Sequence, residues 1–468
     1  EANTTASFNT GIGRNALGGN TTGANNTATG YNSLLANTTG ANNTAMGFSS
    51  LSANTTGTYN ISIGAYSMVT NTTGSNNVAM GQDALRLNTE SNNTAVGFLA
   101  LSANTTGTQN NAFGQAVLAS NTTGSYNSSF GRASMNVNTT GSYNVAMGVL
   151  ALDANTTASN NIAVGYLSLS ENTTGAGNAA LGKSAMAANT TGTNNTAVGH
   201  GALDANTTAD NNVAVGLNAL GANTTGTQNV AVGIQTLLTN TTGHANTAFG
   251  TNALLANTTA NNNTAVGAQA LVANTTGVNN VAVGHSAVDA NTTGVNNVGL
   301  GTNALSGNTT AEANTAIGTN ALMVNTTGAY NVAIGMAALD ANTTASANTA
   351  VGYNALTANT TGSSLTAVGY ASMDSNTTGS NNTAFGRGTL EANTTGSQNT
   401  AHGYLALDAN TTADNNTAMG YQALTANTTG TNNVAVGRGA LATSTTSSQH
   451  TAIGNESLTA ATTGSNNT

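Results

Sequence analysis

The sequence predicts an all-β protein: a parallel β-solenoid or β-roll built from 28 seventeen-residue repeats, with two short strands per coil. Three observations predict it. The first is the period. Residues 189–205, Asn-Thr-Thr-Gly-Thr-Asn-Asn-Thr-Ala-Val-Gly-His-Gly-Ala-Leu-Asp-Ala, return along the whole chain every 17 residues, apart from one 16-residue copy at 88–103. A fixed period of this size marks a solenoid or array. The second is place-specific variation, with places numbered one (Asn189) to seventeen (Ala205). Place eleven (Gly199) is Gly in all 27 copies that reach it, and place fifteen (Leu203) is Leu, Met or Val in all 27. The third is what is missing. There is no Pro, which suits a backbone whose N–H groups are spent in ladders, and no apolar stripe at helical spacing.

The elements follow in order within a copy. Asn195 to Gly199 reads as a strand ending in a corner. Thr196 and Val198 are β-formers on one face, and place nine, always Ala, Gly or Ser, points to the other, against a close layer. Gly199 implies either a positive φ or no space for a Cβ. A second strand is expected over places thirteen to seventeen, with Leu203 and Ala205 on one face and Ala202 and Asp204 on a partly wet one. Asn-Thr-Thr-Gly then makes the return corner. Its Gly place also accepts Ala and Ser and is therefore the less demanding of the two. Stacked at about 4.8 Å per coil, 28 coils reach about 130 Å. Asn189 and Asn195 are placed to form amide ladders, and Leu203 a continuous spine. The large apolar groups are mainly those of places ten and fifteen. They are few against the entropy of ordering every residue in a coil, which argues for chains packed side by side. The short copy is expected to appear as one defective corner.

Asn, Thr, Gly and Ser dominate, a composition shared with disordered low-complexity chains, but disorder has no reason to hold Leu and Gly at fixed places through 27 copies. The period leaves residues 1–468 as a single array without a separate globular domain. Charged residues are 4% of the chain and the net charge is −9. Six basic residues disfavour a nucleic-acid partner, and no apolar run has the length of a membrane span. Without Cys there is neither a disulfide nor a thiolate metal site. The chain opens at Glu1 and stops at Thr468, half-way through a copy, so a processed product or a piece of something longer is expected.

The core Asn195-Thr-Ala-Val-Gly199, repeated as Asn314-Thr-Ala-Ile-Gly318, resembles the head repeats of trimeric autotransporter adhesins. The Asn-Thr-Thr-Gly corners are similar to the shafts of bacterial and phage tail-fibre-type proteins. The resemblance implies a left-handed parallel β-roll and a homotrimer. The adhesin head repeat is shorter than 17 residues, a departure that bears on corners and trimer contacts.

Chemistry is sparse. The five His residues fall in five different copies, with His402 at the otherwise apolar place ten, read as a tolerated inward polar group. Acids gather at place sixteen, where Asp374, Glu391 and Asp408 form a run of three that reads chiefly as solvated surface. No catalytic residue, cofactor or metal is expected, and an enzyme is not. Place twelve carries Tyr31, Phe48, Tyr166, Tyr353, Tyr370, Tyr404 and Tyr421, together with five of the six basic residues. It is the candidate exposed stripe, either sugar-binding or merely stacked padding. Asn-Thr-Thr occurs 25 times, and Asn20, Asn37, Asn54, Asn189 and Asn427 are formal N-glycosylation acceptors; modification on Thr is the other form of a glycoprotein. The expected function is a non-enzymatic fibre or stalk of an extracellular adhesin or virion tail-fibre-like protein. It would supply reach, stiffness and display, its partners being other copies of itself and, through a tip outside this chain, cell-surface glycans. The alternatives are a self-assembling end-to-end solenoid filament and an ice-binding solenoid using the Thr rows of places two and three.

Overall fold

A computed structural model describes residues 5–462 and 464–468. The chain is an all-β parallel solenoid with one three-residue strand per coil and no helix among the described residues. It divides into two compact units, Glu1–Asn229 and Val230–Thr468. The first holds thirteen strands, from Thr10–Ile12 to Val213–Val215, and the second fourteen, from Val230–Val232 to Thr451–Ile453. Within each unit every strand pairs in parallel with the next at an offset of one repeat, as Thr196, Ala197 and Val198 face Val213, Ala214 and Val215. Like therefore stacks on like, as the period predicts.

Only the first expected strand forms. Places thirteen to seventeen are a turn run, because two of their residues are left-handed: Gly201 has φ 64° and Leu203 φ 54°. The same holds in every coil, and place fifteen is left-handed in all 27. A strand cannot pass through such residues. The run still bonds to its neighbours. The Gly201 N–H donates to Lys183 O at 3.1 Å, that of Leu203 to Ala219 O at 2.9 Å, and that of Ala205 to Gly221 O at 3.1 Å. The alternation assumed for these places fails with the strand, and Ala202 and Leu203 are both buried. Asn194, at place six, is a further left-handed residue, φ 57°. With Gly199 at φ 134°, each coil turns on four left-handed residues.

The interior is one side chain thick. It holds Asn189, Gly192, Asn195, Ala197, Ala202 and Leu203 and their counterparts, with Leu203 0% exposed. Ala197 points inward, as read. Val198, whose direction the sequence leaves open, is on the other side: place ten faces outward and is half-buried or exposed, as in Met147, Phe249 and Met419. The strand is thus covered on one side only. His402 is likewise outward, its ring edge-on to Phe385 at 5.5 Å, rather than an inward polar group.

Both asparagine rows form. Asn189 Nδ2 donates to Asn172 Oδ1 at 2.8 Å and to Gly192 O at 3.1 Å, and Asn206 Nδ2 donates to Asn189 Oδ1 at 2.7 Å. Asn195 works differently. Its Nδ2 donates to Ala209 O at 2.8 Å, while its Oδ1 accepts the Asn212 N–H at 2.9 Å. The Thr row of place two closes the corner: Thr207 O accepts the Thr190 N–H, the Thr190 Oγ1–H and the Thr191 N–H at 2.9, 3.0 and 3.2 Å.

The short copy is a defective corner, as expected, and place three is what it lacks. Thr89 keeps the place-two bonds to Thr105 O, and Glu90 O serves as the place-four carbonyl, accepting from Asn77 Nδ2 at 2.8 Å and Asn88 Nδ2 at 2.6 Å. Asn88 Nδ2 is drawn to Glu90 and away from Asn71, whose buried Oδ1 has no partner. One link of the amide ladder is missing while the strands keep their pairing.

Two predictions follow from the corners. Both readings of Gly199 hold together, since φ is 134° and a Cβ would lie 2.5 Å from Gly216 O. Gly192 has no such φ, though a Cβ would crowd Ala209 O at 2.4 Å. The place tolerates Ala in the next coil, at Ala209. Gly199→Ala is expected to lower stability by about 2 kcal/mol or more and Gly192→Ala by well under half of that, measured by urea unfolding; equal losses overturn the distinction. Inserting Thr between Thr89 and Glu90 should pair Asn71 Oδ1 and stabilise by about 1–3 kcal/mol, read as slower hydrogen exchange at residues 71–104.

Candidate functional site

With the interior spent on coil-to-coil bonds, candidate sites are the outward faces. The place-twelve stripe is exposed, Tyr31, Phe48, Tyr166, Tyr353, Tyr370, Tyr404 and Tyr421 lying between 37% and 53%. Stacking occupies most of its ring faces. Tyr31 lies on Phe48 at 5.2 Å and 15°, Tyr353 on Tyr370 at 5.4 Å and 17°, and Tyr404 on Tyr421 at 5.3 Å and 10°. Arg387 fills the gap in the second run, its guanidinium 5.5 Å from the Tyr370 ring and 5.6 Å from that of Tyr404. Arg14 sits 5.8 Å from Tyr31. Rings about one strand spacing apart offer edges and hydroxyls to solvent rather than free faces, which is the padding arrangement. Tyr166 stands between Val149 and Lys183 in the row and has no ring in contact among the described residues.

Two stacked pairs were not singled out from the sequence: Tyr126 with Tyr143 at place six, 4.9 Å and 4°, and Phe113 with Phe130 at place ten, 4.9 Å and 1°. Their spacing of 17 was the available signal.

The candidate N-glycosylation asparagines lie inside the coil. Asn20, Asn37, Asn54, Asn189 and Asn427 are at most 1% exposed, and their Nδ2 atoms, where a glycan would attach, donate into the corner, as Asn427 Nδ2 does to Gly430 O at 3.0 Å. The two Thr rows are also unequal. Most place-two hydroxyls donate to backbone, while those of place three make no hydrogen bond among the described residues and face solvent. A double row of free Thr hydroxyls, the basis for an ice-binding face, is not present at these places.

Of the histidines, His200, His244, His285 and His402 are exposed, while His450 is buried in the place-seven asparagine row. There its Nδ1 accepts the Asn467 N–H at 3.2 Å, doing the work of an asparagine Oδ1. Among the described residues no three His, Asp or Glu come together as a metal site, and no helix is long and apolar enough to cross a membrane. A shallow hollow lined by Arg86, Leu87, Leu99, Ser102 and Ala103 opens beside the short coil. Its polar side chains are one guanidinium, Arg86, and one hydroxyl, Ser102, which already donates to Ala119 O at 3.2 Å.

No protein-family model matches the chain, and no curated protein matches it.

The place-sixteen aspartates are half-buried, while Glu391 is exposed. Desolvation against the coil holds Asp153, Asp204, Asp289, Asp340 and Asp374 above the ordinary carboxylate value of 3.8; Glu171 adds to this at Asp153, while His200 opposes it at Asp204. A raised folded pKa means that the folded chain binds protons more tightly than the unfolded one. This contribution to stability is full below 3.8 and is lost as pH rises through the folded values. The melting temperature is therefore expected to rise on acidification from pH about 7 towards about 4. Asp340→Asn, at a carboxylate whose Oδ1 is buried without a partner, should raise it at neutral pH. Scanning calorimetry at both pH values checks this, and a midpoint that falls on acidification overturns it.

Proposed function

We propose that the chain is a non-enzymatic structural element of an extracellular fibre, the shaft or stalk of an adhesin or tail-fibre-like assembly, and that copies of it associate side by side through the outward strand face. The observation that carries this reading is the chemistry of that face. Places eight and ten hold no Lys, Arg, Asp or Glu in any of the 27 strands, and place ten is apolar in 25 of them. Thr or Val beside Val, Met, Ile or Phe makes a half-exposed ribbon one strand wide, for instance Thr247–Phe249, Thr264–Val266 and Val281–Val283 in consecutive coils. Two outward residues per strand at about 4.8 Å spacing present on the order of 400 Å² in each unit, about half of one partner's share of a standard interface.

A surface that repeats at every coil is best met by a partner with the same step, and another copy of the chain has it. Reach, stiffness and display follow from coils that bond only to their neighbours. The cell surface or virion is the proposed location, and any glycan-binding tip belongs to a different part of the assembly.

Sedimentation tests the reading. A mass that is a small multiple of 45.7 kDa is expected, a trimer being the multiple that the adhesin resemblance implies. Phe249→Ser, Val266→Ser and Val283→Ser together should weaken association at least about tenfold, the loss of roughly 1.4 kcal/mol or more, with the circular dichroism unchanged because these side chains point outward. A parent that stays monomeric at every concentration, or a triple variant that assembles like the parent, overturns it.

A further inference from the structure

Place three is the one exposed place that does not vary. It is Thr in 27 of 28 copies, missing only from the short one, and each of the 26 described examples, from Thr5 to Thr446, is exposed. Place twelve, equally exposed, holds thirteen residue types, and place six holds seven. An exposed residue held constant in this way calls for an explanation that internal bonding does not supply. Most place-two hydroxyls are spent, as Thr190 Oγ1 donates to Thr207 O at 3.0 Å. Among the described residues the place-three hydroxyls make no hydrogen bond within the chain. The backbone at place three is nevertheless fixed, the Thr191 N–H donating to Thr207 O at 3.2 Å. The result is a row of anchored, outward, unengaged hydroxyls, one per coil.

We propose that this row is a site of O-linked glycosylation, each place-three threonine carrying a short neutral glycan. In the transfer, a threonine Oγ1 attacks the anomeric carbon of a sugar-diphosphate donor held by a separate transferase. The Oγ1–C1 bond forms, the C1–O bond to the diphosphate breaks, and the hydroxyl proton passes to a base of that transferase. No oxidation or reduction occurs. The spacing selects a neutral group. Phosphates about 4.8 Å apart would set like charges side by side along the row, each pair repelling by about 1 kcal/mol per unit charge even in water, and the chain has only six basic residues to offset them. A sugar row also supplies the hydrophilic surface that 4% charged residues do not.

The test is the intact mass and fragmentation map of the full chain isolated from its native source. A mass above 45.7 kDa is expected, with sugar on place-three threonines such as Thr191, Thr208 and Thr276 and none on Thr190, Thr207 or Thr89. Thr89 is the sole corner threonine of the short copy and is already bonded. A mass equal to the bare chain, or sugar spread equally over places two and three, overturns the proposal. Thr191→Val, made in the native host, separates modification from backbone shape, because Val keeps the β-branch and loses only the hydroxyl. Loss of one glycan increment with unchanged melting supports the proposal; unchanged mass with a lowered melting temperature overturns it.

Discussion

Two buried asparagines converge on one carbonyl in each coil, and the rest of the structure depends on that meeting. Gly192 O accepts from Asn189 of its own coil at 3.1 Å and from Asn178 of the coil before at 2.8 Å. A coil of 17 residues has no room for a second layer of side chains, so its corner carbonyls cannot reach water and must be satisfied from inside. Asparagine is the short side chain that offers a donor and an acceptor at once. It can bond the corner and still pass a bond to the next coil. The ladder and the closing of the turn are therefore one device. A carbonyl bonded in this way leaves little space beside it, and place four holds Gly, Ala or Ser in every copy except the short one, where Glu90 stands.

The chain's own irregularities show how tightly this is coupled. In the short copy the corner carbonyl is preserved, supplied by Glu90, and the ladder is what gives way, at Asn71 Oδ1. The hierarchy is physical: one unpaired amide oxygen costs less than an unpaired corner carbonyl flanked by two stranded donors. His450 keeps the row by lending Nδ1, whereas Leu365, buried in the same row, has no acceptor for the Asn382 N–H. Val288 and Gly299 show coupling across coils. Val288 is the one β-branched residue at place fifteen, left-handed at φ 53°, and a Cβ on Gly299 would lie 2.5 Å from its Cγ2. The branched side chain reaches across the coil where Leu does not, and glycine stands at the place nine it faces.

The period, the parallel stacking, the inward Ala197, the corner at Gly199 and the paired asparagine rows were all legible, because each is a statement about one place repeated many times. The second strand was misread because alternation was carried through residues whose backbone is left-handed. Leu203 gives no sign in its identity that φ is 54°. A left-handed leucine costs about 1–2 kcal/mol, and glycine would relieve that strain while emptying the spine. Here the burial of the side chain outweighs the backbone preference that sequence reading relies on. Place six did carry a signal, since Asn fills it in half of the copies and is among the residues most at ease in that conformation.

Function is harder to read because the same economy empties the interior of reactive groups. Among the described residues nearly every buried polar atom is already answered by the coil above or below. What remains is arranged by face. Places eight and ten form an uncharged ribbon, place twelve carries short runs of stacked rings, place sixteen carries scattered acids that are mostly half-buried, and place three is a row of free hydroxyls. Places three, eight and ten each repeat one chemical character at one spacing, which suits contact with something that is itself extended and regular. A single residue changed on such a face removes one contact among many, whereas a change at a corner disturbs the stacking of every bond beside it. The places that cannot vary for structural reasons are buried at the corners. The one exposed place that does not vary therefore carries more information about use than any residue inside.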